Sequence, residues 1–421
     1  MKPLLLILAI APFLSTSRVP ICTNDFKLVN GKCLGFVTDL LSRKDASKSC
    51  YSNFGATLAT VKNEQESLAM AAYVGNHTKK VWIGLYCFAS DPSTCVWDDG
   101  SKTNNSYTNF ASNFPFADID KCVFLKTTGS KMGEWFSGDC VEDRMAYVCE
   151  KPTTFADECE HNYNGYCYLT SGEMYKENSY FDEAHNVCEQ NCGSLVSIHS
   201  VNELRFIEYI YRSSGIDSIY IGASSAQKNE FQWLDNSEWN YTKLDTTSGA
   251  SGKCMTMSLK SEWARTKGHW YPSDCHKPRS FLCKRHVGAT TCDIPTPQAS
   301  PLTGTPTYTS NCNSFLMAPD TFSSPDYPQN YTNNMTCTYH LATIGAQRIR
   351  LAIPSVELED ECDFLRVYDG ESEESPMLAK MTGETATAQY YESSSNTMFV
   401  TFTSDPFVES KGFHANFFSF V

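Results

Sequence analysis

The sequence predicts a multidomain extracellular chain: two α+β domains of one kind, followed by an all-β sandwich. Three observations carry this reading. The chain repeats itself, since GATLATVKNEQESL (55–68) returns as GSLVSIHSVNELRF (193–206) and VWIGL (81–85) as IYIGA (219–223), both at an offset of 138. Cys122, Cys140 and Cys149 recur as Cys254, Cys275 and Cys283, at offsets of 132, 135 and 134. After a Thr/Pro/Ser-rich stretch the pattern changes to short runs of alternating apolar character.

The first residues predict a signal peptide over 1–17. Lys2 supplies the positive start, Leu4 to Leu14 the apolar run, and Ser15-Thr16-Ser17 a small-residue cleavage site. That run is well short of the roughly 20 residues a membrane span needs. The last residues, GFHANFFSFV, are strand-length with no lipid-anchor site before them. Nineteen cysteines fit the same compartment, and an odd number leaves at least one thiol without an internal partner. Five Asn-x-Ser/Thr sequons stand at Asn76, Asn104, Asn240, Asn330 and Asn334. A formal charge of −14 argues against nucleic acid or an anionic membrane as partner. The 421 residues exceed one core, so two to four domains are expected.

Each repeat opens with a helix carrying Cys50 or Cys188. A second helix follows behind a cap with Glu three residues on, Asn63 with Glu66 and Ser200 with Glu203. Leu68, Ala71 and Ala72, and Leu204, Ile207 and Tyr211, are read as the apolar stripes of those second helices. WIGL and YIGA read as buried central strands, and a long Asn/Ser/Thr-rich segment leads to two short closing strands. Helices, a small sheet and a long loop make an α+β unit.

The order helix-Cys, WIGL, Cys, Gly-x-Trp-x4-Cys and a final Cys resembles the C-type lectin-like domain, twice over, at 18–151 and 157–286. That resemblance implies the bridges Cys50–Cys149, Cys122–Cys140, Cys188–Cys283 and Cys254–Cys275. Cys22–Cys33 and Cys159–Cys167 resemble the N-terminal hairpin of the family's longer variant. Cys87 and Cys95 flank a short acidic turn and are expected to pair. Residues 287–311 read as a Thr/Pro-rich linker. Beyond it, Cys312, FSSPDYPQNYTNNMTC ending at Cys337, and DFLRVYDG (363–370) resemble a CUB domain over 312–421, a β-sandwich in which Cys312 and Cys337 are the disulfide cysteines. The strands RIRLAI, FLRVYD and MFVTFT support a sandwich independently. This chain departs from the family at Thr382, where a cysteine is expected, so Cys362 lacks its usual partner. Cys192 and Cys292 are also extra. Two of these three are candidates for a bridge between domains, and the odd one permits a disulfide-linked dimer.

Sugar binding in the lectin family uses a bound Ca²⁺ held by oxygen ligands. The resemblance places these in a Glu-Pro-Asn-like tripeptide, an acid before the third core Cys, and Asn-Asp after the Trp. Here the first domain has Phe114-Pro115-Phe116, then Phe136 and Ser137 after Trp135, and keeps Asp120 alone. The second has no proline in its loop, Gly252 at the acid position, and Tyr271-Pro272 after Trp270. No calcium is expected at either lectin-like site. Aromatic residues stand there instead: Phe110, Phe114, Phe116 and Phe136 in the first domain, and Trp239, Tyr241 and Tyr271 in the second. Such rings either stack on a sugar or protein ligand or fill the loop's own small core, and Trp135 and Trp270 read as core.

In the third unit, Glu359, Asp363 and Asp405 match the acids with which many CUB domains hold Ca²⁺ and meet basic protein partners; the bland alternative is a solvated acidic edge. HExxH, GxSxG, CxxC and phosphate-loop motifs are absent, and the histidines show no ligand spacing, so an enzyme is not expected. The architecture resembles secreted nematode lectin-like families linked with recognition in innate defence. The expected partner is a glycan or protein on a cell or microbial surface, with a protein-binding module acting through the CUB unit as the alternative.

Overall fold

The structure, a computed structural model, describes residues 18–421 apart from 104–106, 119, 228–229, 246–249, 262–264, 290–291, 293–311, 345–346 and 421. The signal peptide expected over 1–17, most of the expected linker and the sequon at Asn104 therefore lie outside the described residues.

Two α+β domains and a β-sandwich are present. In the first domain a mixed sheet runs Lys27–Val29, Lys32–Leu41, Met145–Lys151, Lys80–Cys87, Cys122–Lys126, Trp135–Gly138. Neighbours are antiparallel except that Lys80–Cys87 runs parallel to Met145–Lys151. The second domain repeats the arrangement around Ser218–Gln227. Helices α1 (Arg43–Phe54) and α2 (Glu64–Val74) belong to the first domain, α3 (Phe181–Gln190) and α4 (Val201–Ile210) to the second. Both second helices start as their sequences predict. Asn63 Oδ1 accepts the Glu66 N–H at 2.8 Å, and Ser200 Oγ accepts the Glu203 N–H at 3.1 Å. The repeated glycine of WIGL and YIGA has a steric cause: a Cβ would lie 2.7 Å from the Leu58 carbonyl at Gly84 and 2.2 Å from that of Leu195 at Gly222.

The stripe expected on α2 is corrected. Leu68 is 42% exposed and Ala72 is exposed, while Ser67, Met70, Ala71 and Val74 face inward. Ser67 draws the helix round because its hydroxyl donates to the Gly133 carbonyl at 2.6 Å, tying α2 to the closing strands. The second-domain stripe, Leu204, Ile207 and Tyr211, is buried as expected.

The sandwich has one sheet of Ser314–Met317, Thr336–Ala342, Thr397–Thr403, Phe364–Tyr368 and Met377–Met381. The other contains Glu384–Thr385, Val356–Glu357, Gly412–Phe420, Arg348–Ile353 and Gln389–Glu392. Phe322, Tyr339, Leu351, Phe402 and Phe413 fill the space between.

All eight bridges expected from the sequence form, and a ninth joins Cys192 to Cys292. That ninth bridge ties the start of the linker back to the second domain, and Cys362 remains a free, exposed thiol. Thr382 does the work of the missing cysteine: its Oγ1 accepts the Glu361 N–H at 2.8 Å and donates to the Glu359 carbonyl at 3.0 Å.

The three units pack together. Helix α1 meets α4, where the Tyr51 hydroxyl donates to Glu208 at 2.6 Å and accepts from Lys267 at 2.8 Å. The sandwich touches the first domain through Phe88 and Phe315, ring centroids 5.1 Å apart, and through Lys102 to Ser314 at 3.0 Å. It touches the second through Lys243, which donates to the Pro319 carbonyl at 3.2 Å. Among the described residues no helix is long and apolar enough to cross a membrane.

Candidate functional site

On the first domain three neighbouring strands build one aromatic face. Register sets Lys80 opposite Lys126, Trp82 opposite Phe124, and Phe124 opposite Phe136. Alternation then puts Lys126 and Phe124, two residues apart, on the same side. Phe124 and Phe136 stack at 5.6 Å, and Phe114 meets Phe136 edge-on at 5.1 Å. The ammonium groups of Lys126 and Lys131 stand 4.8 and 5.5 Å from the Phe136 ring centre, and that of Lys80 stands 5.1 Å from Phe124.

The ring set expected to meet ligand divides. Phe116 is 45% exposed, with its N–H held by Ser137 Oγ at 2.8 Å, and Phe114 is half-buried beside it. Phe136 is largely buried and forms the floor. Phe110 turns the other way, onto buried Trp135 at 5.4 Å, and belongs to the loop's own core.

In the second domain the structure corrects the expectation. Trp239 is buried and stacks on Trp233 at 4.6 Å, Tyr241 packs on Trp270 at 5.8 Å, and Tyr271 is wholly buried with Arg265 over its ring. Trp239 and Tyr241 fill the domain's own core around Trp233 and Trp270, and Lys243 of the same loop meets the sandwich. Lys243, 2% exposed, pairs with Asp320 at 3.7 Å, and burial lowers its ammonium pKa. The rings that a ligand would need are spent inside the molecule.

In the sandwich, Glu359, Asp363 and Asp405 converge. Asp363 is fully buried; one oxygen accepts from the Tyr331 hydroxyl, and the other accepts the Asp405 N–H at 2.8 Å. Burial, then the Asp363 carboxylate's hydrogen bond, pushes the Tyr331 hydroxyl up to about 12. Glu359 is half-buried, and its Oε2 has no partner. Burial and the charges of Asp405 and Asp363 raise the Glu359 carboxyl pKa. Glu359, Asp405 and the Cys362 sulfur lie within 4.8 Å of one another. Burial, then Glu359 and the neighbouring acids, push that thiol up, so it stays protonated and the carboxylates are the donors on offer. Crowded carboxylates with an unsatisfied oxygen fit a hard divalent cation. A second cluster, Glu160, His161 and Glu173, is drawn together across a hairpin that residue spacing did not show.

The C-type lectin domain model matches residues 40–151 and 177–285, and the CUB domain model matches 312–417. The chain belongs to the C-type lectin domain family. It is 36% identical over 279 residues to C-type lectin domain-containing protein 38 of Caenorhabditis elegans, covering 65% of this chain and 69% of that one. It is 26% identical over 272 residues to the human secretory phospholipase A2 receptor, covering 58% of this chain but 17% of the receptor. Human lymphocyte antigen 75 is 27% identical over 272 residues, covering 61% of this chain and 15% of the antigen. Among solved structures, a calcium-independent type II antifreeze protein is similar at 23% identity and a TM-score of 0.28, covering 32% of this chain and 97% of that one.

The two C-type lectin domains and the CUB domain are binding modules of extracellular recognition proteins. In the first lectin domain, the positions where the family places calcium ligands hold a buried ring, Phe136, and a hydroxyl already bonded to Phe116, Ser137. Asp120 has its carboxyl pKa raised by burial and by Asp139 and Asp143. Phe124, Lys80, Lys126, Lys131 and Tyr331 escaped sequence reasoning. Strand register brings Phe124, Lys80 and Lys126 together, the turn before Trp135 carries Lys131 over Phe136, and a hydrogen bond to Asp363 places Tyr331. Asn76, Asn240, Asn330 and Asn334 are exposed.

Proposed function

We propose that this is a secreted, non-enzymatic recognition protein whose first C-type lectin domain binds carbohydrate without calcium. The observation that carries the reading is the exposed Phe116 on the loop whose Phe114 packs edge-on against Phe136 of the stacked pair Phe124 and Phe136, where the matching rings of the second domain are turned inward. Aromatic faces stack on the C–H faces of sugar rings. A glycan array probed in EDTA tests it. Binding is expected to survive the chelator and to fall with Phe116→Ala and Phe114→Ala; unchanged binding by both variants overturns the aromatic site. Recognition of cell or microbial surfaces in innate defence is the setting the family resemblance implies.

A second reading is favoured by the convergence of Glu359, Asp363 and Asp405. These carboxylates would hold Ca²⁺, and the ion would fix their geometry for a lysine or arginine of a protein partner. Calorimetry of the full chain with Ca²⁺, against Glu359→Gln, tests it. Heat of binding that the substitution leaves unaltered sinks this reading.

A further inference from the structure

We infer that the aromatic face of the first domain takes a sulfated saccharide, with Lys80, Lys126 and Lys131 supplying its counter-charges. This rests on the carbohydrate reading and names the ligand class. The chain has a net charge of −14, yet three ammonium groups gather over two adjacent phenyl rings. Lys80 and Lys126 are directly cross-strand, an arrangement of like charges that costs stability. Their acidic neighbours leave the charge largely unspent. Asp143 lies 3.9 Å from Lys80, with both side chains about two-fifths exposed, and such a pair contributes little. Glu134 shares a backbone hydrogen bond with Lys126, but among the described residues neither Lys126 nor Lys131 forms an ion pair. Cations held over rings at 4.8–5.5 Å define an amphipathic surface, flat and apolar beneath, positive above.

A sugar ring carrying more than one sulfate matches both features: its C–H face meets the half-buried Phe114 and Phe124, with exposed Phe116 two residues along the same loop, and its sulfates meet the ammonium groups. An acidic peptide would match the charge alone, and the net charge of −14 disfavours a long nucleic acid strand, whereas a short sulfated segment meets only this local positive patch. Sulfate is ionised at every physiological pH, so the interaction falls with salt and hardly varies with pH.

The experiment measures binding of a heparin octasaccharide and of its desulfated, N-acetylated counterpart to the full chain in EDTA. Wild type is compared with Lys80→Gln/Lys126→Gln/Lys131→Gln and with Phe116→Ala, circular dichroism confirming the fold. The expected result is preference for the sulfated chain, and a loss of about tenfold or more in the triple variant. Binding by the triple variant at wild-type affinity, or equal binding of both octasaccharides, overturns the inference. If neutral glycans bind in a Phe116-dependent way while the sulfated chain does not, the inference falls and the carbohydrate reading stands. If no glycan binds, both fall, and tighter binding of a polyglutamate peptide would overturn the sugar assignment.

Discussion

Lys243 of the second lectin domain and Asp320 of the CUB domain lie 3.7 Å apart, with the lysine side chain 2% exposed and the aspartate 39% exposed. The asymmetry sets the outcome of substitution. Asp320→Ala leaves a buried ammonium without its carboxylate and is expected to cost about 2–3 kcal/mol, whereas Lys243→Met leaves a half-exposed carboxylate and costs under about 1 kcal/mol. Thermal unfolding measures both. A protease site placed in the linker offers a second readout, since Cys292 pairs with Cys192 and Cys312 with Cys337, so cutting between them leaves no covalent tie. The cut wild type is expected to elute as one species, and the cut Asp320→Lys variant as two.

His414, on the CUB strand Gly412–Phe420, predicts acid sensitivity of the same region. Burial holds its imidazole down to about 4, from an ordinary 6.5, with a hydrogen bond to Asn416 opposing; Asp245, Lys243 and His269 act on it from the second domain. The folded state prefers the neutral ring, so this stabilisation is full above pH 6.5 and is lost as pH falls from 6.5 to 4. The loss totals about 3 kcal/mol. Melting temperature measured across that window is expected to decline less steeply in His414→Gln.

Thr382 holds the loop at Cys362 by two hydrogen bonds where the family has a disulfide. Thr382→Val is expected to destabilise by about 1–2 kcal/mol. Thr382→Cys is expected to abolish the free thiol titrated by a thiol reagent and to add about 3 kcal/mol through the closed loop.

Tyr51 joins the lectin domains through Glu208 and Lys267. Burial raises the Glu208 carboxyl pKa, so loss of the tyrosine hydroxyl removes a donor from a desolvated acid. Tyr51→Phe is expected to cost about 1–3 kcal/mol. A double-mutant cycle with Glu208→Gln should show coupling above about 0.5 kcal/mol.

The covalent and local features of this protein could be read from the residue order. The duplicated motif and the caps at Asn63 and Ser200 depend on short-range patterning, and the disulfides follow the pairs that the family resemblance and the short Cys87–Cys95 turn imply. The site was legible only in part. Phe110 and Phe116 are both aromatic residues of the first domain's long loop, yet Phe110 packs on buried Trp135 and Phe116 is 45% exposed. Nothing local distinguishes them, because the difference arises from what packs on each ring. Lys80 and Lys126 are distant in the chain and face each other only through strand register. Residue order, read with the family resemblance it carries, determined the modules, the cysteine pairs that resemblance implies, and the expectation that the lectin calcium ligands are replaced. Tertiary structure alone decided which rings and lysines share an exposed face, since burial and cross-strand pairing are set by long-range packing.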